Sequence, residues 1–258
     1  MMTRSLFLSA LLALLAGVAA AEPDEARRSG AASLADGAVS RAATPRTIAF
    51  AGRTWTVKNS AGALWGPGPN NFSDSLSNVW VDDQGRLHLA ITNDNGVWKC
   101  AEVIAQSSLG YGSYRFTFDS ALDAFDANVV LGLFTWNDAN AYNHREIDIE
   151  FSRWGNAQDY ANAQYVVQPY SSNGNLLRWT LPTGYTSSSH SFRWTSRSIA
   201  FQSSSAGNTI KQWSYTRRAG IPRPGGETPR INLWLFQGAA PQSGARQEVI
   251  VSGFEFLP

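Results

Sequence analysis

The sequence predicts an all-β domain, two packed antiparallel sheets in a jelly-roll sandwich, and three observations carry that expectation. From Thr47 onward, polar and apolar residues alternate with a period of two in short runs rich in β-branched and aromatic side chains. Gly, Asn, Asp, Ser or Pro closes off each run. Beyond the N-terminal apolar segment, no stretch of ten or more residues repeats apolar positions at helical spacing. About a dozen short strands can bury their apolar faces only by pairing into two sheets.

In chain order, the start "MMTRSLFLSALLALLAGVAAAEP" has a single basic residue at Arg4, an apolar run from Leu6 to Val18, and small residues at Ala19 and Ala21. This is the layout of a secretory signal peptide, residues 1–21. The run is short for a membrane span, and the next charges, Glu22 and Asp24, are acidic rather than a basic stop. Residues 22–46 are rich in Ala, Ser, Arg and Asp and have no aromatics, so they read as a flexible linker. Residues 47–258 form the expected domain. The strand runs are "RTWTVKN", "NVWVDD", "RLHLAIT", "GSYRFTF", "NVVLGLFTW", "EIDIEF", "AQYVVQ", "HSFRW", "TIKQWSY", "INLWLFQG" and "EVIVSGFEF". "DDQGR", Asp82–Arg86, signals a hairpin, with Gly85 supplying a positive φ. "GPGPNN", Gly66–Asn71, reads as an irregular loop.

Composition narrows the function. A net charge of +1 shows no basic excess and argues against nucleic acid as a partner. Ten Trp in a chain with only 16% charged residues exceed what a core needs, so some are expected at a surface that binds flat apolar faces such as sugar rings. A single cysteine, Cys100, permits no internal disulfide, and with three His it argues against a thiolate zinc site.

One run stands apart. In "EIDIEF", Glu146, Asp148 and Glu150 alternate with Ile147, Ile149 and Phe151. On a strand the three acids share one face at intervals of about 6.7 Å, while the apolar three turn to the core. Three crowded carboxyls cannot all ionise easily, so at least one should hold its proton to higher pH. Cleavage of a glycosidic bond needs one protonated and one ionised carboxyl. Glu146 and Glu150 lie about 13 Å apart at Cα on an ideal strand, whereas retention needs carboxyls about 5–5.5 Å apart, a gap that long side chains on a curved sheet can close. A solvated strand and a calcium site remain open on the residues alone.

The run also resembles the ExDxE active-site signature of glycoside hydrolase family 16, and bacterial lichenases of that family carry the same six letters. Further segments are similar in the family's order over about residues 50–258: "CAEVIAQSSLGYGSYRFTF", "NVVLGLFTW", "HSFRW" and "RINLWLFQG". The resemblance implies a concanavalin A-like jelly roll with a cleft, and hydrolysis of internal β-glycosidic bonds with retention. Glu146 would be the nucleophile, Asp148 the assisting acid and Glu150 the general acid/base. It implies no organic cofactor. A structural Ca²⁺, seen in parts of the family, is assigned to no residue.

Departures from the lichenase pattern bear on substrate. His144 and Arg145 stand where lichenases place a Trp and an acid, Trp234 and Phe236 where they have an Asn and a Trp, and Val166 where a substrate-contacting Asn is expected. Ser73–Ser75 occupy the region of the missing partner of Cys100, leaving a buried free thiol. The candidate substrate-binding residues are Glu102, Trp136, Tyr142, His144, Arg153, Trp154, Gln164, Trp234 and Gln237. Arg145 and Arg153 flank the acidic row and are expected to be its ion-pair partners, with contacts to an anionic polysaccharide as the alternative. The expected partner is a polysaccharide of β-glucan or galactan type, met by a monomer that is secreted or periplasmic and free of the membrane after signal cleavage. Rival readings on the same fold are a non-catalytic carbohydrate-binding protein and a transglycosylase.

Overall fold

The computed structural model describes residues 44–258. The expected signal peptide and all but the last three residues of the expected linker lie outside the described residues. Arg46, the last of these three, is already tied to the domain: its guanidinium donates to the carbonyls of Asp74 and Val79 at 3.1 and 2.7 Å.

Sixteen strands form among the described residues. The first four are short: β1 (Thr47–Phe50), β2 (Arg53–Val57), β3 (Asn71–Phe72) and β4 (Val79–Val81). Then come β5 (Leu87–Asp94), β6 (Val97–Ala105), β7 (Gly112–Phe118) and β8 (Val129–Trp136). The middle of the chain gives β9 (Ile147–Phe151), β10 (Ala163–Val167), β11 (Leu176–Trp179) and β12 (Ser188–Trp194). β13 (Ile199–Ser205), β14 (Asn208–Tyr215), β15 (Thr228–Leu235) and β16 (Gln247–Leu257) complete it. The expected all-β jelly-roll architecture is what the chain adopts.

The first sheet runs β1-β2-β6-β15-β8-β9-β10-β11, antiparallel throughout. The second runs β4-β5-β16-β7-β12-β13-β14, also antiparallel. The β5–β6 hairpin joins them, and short β3 lies parallel to β6. Period-two alternation turns Ile147, Ile149 and Phe151 inward, where all three are fully buried. Across the core, Tyr165 of β10 stacks on Phe201 of β13, with ring centres 4.9 Å apart. Phe151 meets His190 of β12 edge-on at 4.6 Å, and Trp55 of β2 meets Phe254 of β16 at 5.3 Å. The expected turn at Asp82–Arg86 forms with Gly85 at φ 76°, and Asp82 Oδ1 accepts the backbone N–H groups of Gln84 and Arg86.

β1, β3, β6, β11 and β13 are absent from the strand runs read in the sequence. β13 explains why. Its inward residues include Ser203 and Ser205, fully or nearly buried, so its inner face does not read as apolar. Ser203 Oγ lies 2.6 Å from the Tyr165 hydroxyl and 2.7 Å from His190 Nδ1, and Ser188 Oγ lies 2.8 Å from His190 Nε2. Burial pushes the His190 pKa down to about 3, so this imidazole is a neutral member of a polar core network.

Candidate active site

β9 lies between β8 and β10, and the register lines up its acids with side chains from five other strands. On the face turned away from the core, Glu102, Asn232, Gly132, Glu150, Gln164 and Arg178 stand abreast across β6, β15, β8, β9, β10 and β11. The next row on the same face is Ile104, Arg230, Phe134, Asp148, Val166 and Leu176. Glu146 sits one residue before β9, extended at φ −86° and ψ 126°. It follows a tight 3₁₀ turn, Asn143–Arg145, in which Tyr142, Asn143, His144 and Arg145 all have φ between 50° and 59°. Four successive non-glycine residues in the left-handed region concentrate backbone strain at the entry to the acidic row.

Although this face points away from the core, its floor is dry. Asp148 is 3% exposed, Asn232 2% and Glu102 1%, while Glu146 and Glu150 are partly buried. Burial raises the pKa of Glu146, Asp148 and Glu150. Glu150 is pushed up to about 7, with the Gln164 hydrogen bond and the Arg178 charge pulling the other way. Asp148 is pushed well above the usual carboxylate range by burial and by the charges of Glu146 and Glu150. Glu146 is pushed up to about 8 by burial, opposed by a hydrogen bond from Asp148 and by the Arg230 charge. These three groups titrate together, and the direction common to them is that the row cannot be fully ionised at neutral pH. Amides provide the contacts: Gln164 Nε2 donates to Glu150 Oε2 at 2.6 Å, and Gln168 Nε2 to Asp148 Oδ2 at 3.3 Å.

Glu102, in the same floor, is built differently. Lys58 Nζ lies 3.0 Å from its Oε2 and Arg230 Nη1 3.4 Å from its Oε1. Arg230 reaches on to Asp138 at 3.3 Å, and its guanidinium is 5.9 Å from the ring centre of Trp136.

The other candidate residues fall in several places. Trp136 and His144 stack with ring centres 4.0 Å apart and planes 5° apart, so His144 packs on Trp136 rather than standing alone as a small stacking platform. Tyr142, exposed, meets the Arg145 guanidinium at 5.4 Å. Trp154 packs edge-on against Trp234 and Phe236 at 6.0 and 5.5 Å, which puts two of the three expected binding tryptophans in one cluster beyond the Glu150 row. Gln237 is exposed, in a 3₁₀ turn after β15. Arg153 spends its guanidinium on the carbonyls of Phe125 and Asp123, each at 3.2 Å.

The expected pairing of Arg145 and Arg153 with the acidic row is therefore wrong. Arg145 donates to the carbonyl of Arg223 at 2.8 Å and lies 3.9 Å from Glu227, so both arginines hold loops in place. Sequence reasoning missed Arg178, Asn232, Arg230 and Gln168. Asn232 and Arg230 share the parity of Trp234, so the alternation of β15 already carried that signal. Arg178 was hidden with β11. Asn232 Oδ1 is buried without a hydrogen-bond partner, and a Cβ at Gly132 would come within 2.4 Å of it. Only glycine at 132 leaves room for this amide beside Glu150. Cys100 is buried and free, with its Sγ 3.3 Å from Asn70 Oδ1; burial pushes the thiol up to about 12 and leaves it unreactive. Among the described residues no three His, Cys, Asp or Glu side chains are grouped to hold a metal ion, so a Ca²⁺ finds no such ligand set here.

Neither a family model nor a curated protein sequence matches this chain. Its structure, however, is similar to several solved ones. A β-glucanase of Bacillus licheniformis is 20% identical, with 79% of this chain and 92% of that chain covered and a TM-score of 0.60. A GH16 protein of a Bacteroides ovatus mixed linkage glucan locus, solved with a G4G4G3G product, is 11% identical over 79% of this chain and 94% of that one, TM-score 0.60. An immunostimulatory antigen and pseudo β-1,3-glucanase of Mycobacterium tuberculosis is 19% identical over 77% and 88%, TM-score 0.56. The chain thus has the jelly-roll fold that these β-glucanase-like proteins share.

Proposed function

We propose that this chain is an exported glycosidase that cleaves internal β-glycosidic bonds of a polysaccharide, a β-glucan or a galactan, with retention of configuration. The observation that supports it best is the acidic row itself. Three carboxyls share one strand face in a dry floor, amides rather than cations make their direct hydrogen bonds, and all three hold protons to unusually high pH. A structural role would favour paired charges instead.

Retention needs Glu146 ionised while Asp148 and Glu150 keep their protons. Asp148 carries a proton and donates it in a hydrogen bond to Glu146. That bond, with the Arg230 charge, favours the Glu146 carboxylate. Glu150, raised to about 7, supplies the second proton. In the first step a Glu146 oxygen attacks the anomeric carbon, the glycosidic C–O bond breaks, and the Glu150 proton passes to the departing oxygen. In the second, the Glu150 carboxylate takes a proton from water as that water attacks the anomeric carbon. The bond to Glu146 then breaks and the starting protonation returns. Gln168 and the Trp136–His144 pair lie by the same face and are available to sugar hydroxyls and ring faces.

A second reading is a carbohydrate-binding protein that has lost the chemistry. One fold relative is described as a pseudo β-1,3-glucanase, and the packing of Trp154 against Trp234 and Phe236 leaves less free ring face than an open platform would. Reducing-end release by residues 47–258 on a panel of β-glucans and galactans, with Glu146→Gln beside it, separates the two. The glycosidase reading expects one polymer to be cut and the variant to be inert. No cleavage together with a polymer-induced change in tryptophan fluorescence would replace it with the binding reading.

A further inference from the structure

Arg178 stands on β11 two strands from Glu150, abreast of it through Gln164. Its Nη1 donates to Gln164 Oε1 at 3.0 Å. A guanidinium has donors only, so the Gln164 atom facing it must be the amide oxygen. The amide nitrogen is then forced toward Glu150, where it donates to Oε2 at 2.6 Å. Without Arg178 the amide could turn over and offer its oxygen to a protonated Glu150. The two orientations favour opposite states, since an N–H donor stabilises the carboxylate and a C=O acceptor stabilises the acid.

Arg178 is itself held from its other side. Its Nη2 donates to Asp159 Oδ2 at 2.7 Å and to the carbonyl of Ala161. Both belong to the segment joining β9 to β10, and Tyr160 between them is 82% exposed. The remaining charged groups around Glu150 are accounted for. Asp148 and Glu146 precede it on the chain, and Gly132 and Asn232 on the β8 side are uncharged. Beyond them, Glu102 is met by Lys58 and Arg230.

We infer that Arg178 is a positioning residue for Glu150: it locks the Gln164 amide in one orientation, so that the Glu150 proton resides on Oε1, the oxygen Gln164 leaves free. The same guanidinium couples the Asp159–Ala161 segment to the acid. The inference rests on the reading of Glu150 as acid/base, but its test does not depend on turnover. The Glu150 carboxyl is followed by ¹³C NMR in glutamate-labelled protein, its resonance assigned by loss in Glu150→Gln.

In Arg178→Met the titration of Glu150 moves up by about one pH unit, because the cation and the enforced donor are both gone. In Arg178→Lys, which keeps the charge without the fork, the shift is smaller and in the same direction. Asp159→Asn moves it down, since it removes the counter-charge that offsets Arg178. If Arg178→Met fails to fold, the other two variants decide by themselves. In an active enzyme the basic limb of kcat/KM moves with the carboxyl in each variant, whereas a merely structural arginine would lower activity without moving it. Unchanged titration in the variants, or a downward move on loss of Arg178, overturns the inference. If no polymer is cut by the wild type, the glycosidase reading fails while the titration still decides the role of Arg178.

Discussion

Carboxylates cluster on the outer faces of both sheets, and the two clusters are built in opposite ways. On the second sheet, His88 of β5 stands between Asp82 and Glu248 at 3.0 and 2.7 Å and stacks on Trp80 with ring centres 4.5 Å apart. Arg86 Nη2 reaches Asp82 at 2.8 Å, and Arg246 Nη2 reaches Glu248 at 3.1 Å. The hydrogen bond with His88, reinforced by those from Arg86 and Gln84, holds Asp82 well below the usual carboxylate range. On the first sheet the acids of β9 are offered amides and each other, and burial pushes them up. The same side-chain chemistry is thus set to ionise readily in one place and to retain protons in the other. Partners and burial decide which, and the second arrangement costs stability.

The two clusters should differ most in what their loss does to activity. Glu146→Gln should lower kcat by about 10³-fold or more, the scale of losing a nucleophile, while Asp82→Asn leaves turnover within about twofold. Reducing-end assays on the polymer that is cut check both. Next in size is Glu150→Gln. Wild-type kcat/KM should fall as pH rises through about 7, because the protonated acid is lost. The variant should be about 10²- to 10⁴-fold slower and lack that limb.

A smaller effect concerns stability, and its sign differs between the clusters. A raised folded-state pKa gives stability that is present below the unfolded value and lost as pH rises through the folded one. Replacing Asp148 with Asn should therefore raise Tm at pH 8, by about 2–4 °C, with the gain shrinking toward pH 4. A depressed pKa works the other way. Asp82→Asn should lower Tm at pH 7, and the loss should fade as pH falls below the usual aspartate range. Thermal scans of both variants at three pH values test the contrast.

How much of this was legible in the sequence follows from what alternation can and cannot report. β9 was legible in full, since Ile147, Ile149 and Phe151 are strongly apolar and the acids between them strongly polar. β13 was not, because its inner face carries Ser203, held by His190 and Tyr165, and Ser205, which donates to the Ser187 carbonyl, and a hydrogen-bond network has no hydrophobic period. The acidic row was legible as a row, but its surroundings depended on register between distant strands. Arg178 comes beside Glu150 only through Gln164 on β10, a relation that no local spacing encodes. Arg145 and Arg153 failed for the converse reason: they are adjacent in sequence, yet their guanidinium groups bind loop carbonyls.

Trapping distinguishes a Glu146 that forms the covalent intermediate from a Glu150 that handles the proton. Glu150→Gln is mixed with a dinitrophenyl glycoside of the oligosaccharide released from the cut polymer, quenched in acid and weighed intact. Its good leaving group needs no acid, but the second step still needs the missing base, so the intermediate accumulates. The expected mass gain is that of the oligosaccharyl group, carried by the peptide containing Glu146. Release of the dinitrophenolate without an adduct, or an adduct on any other residue, would contradict it.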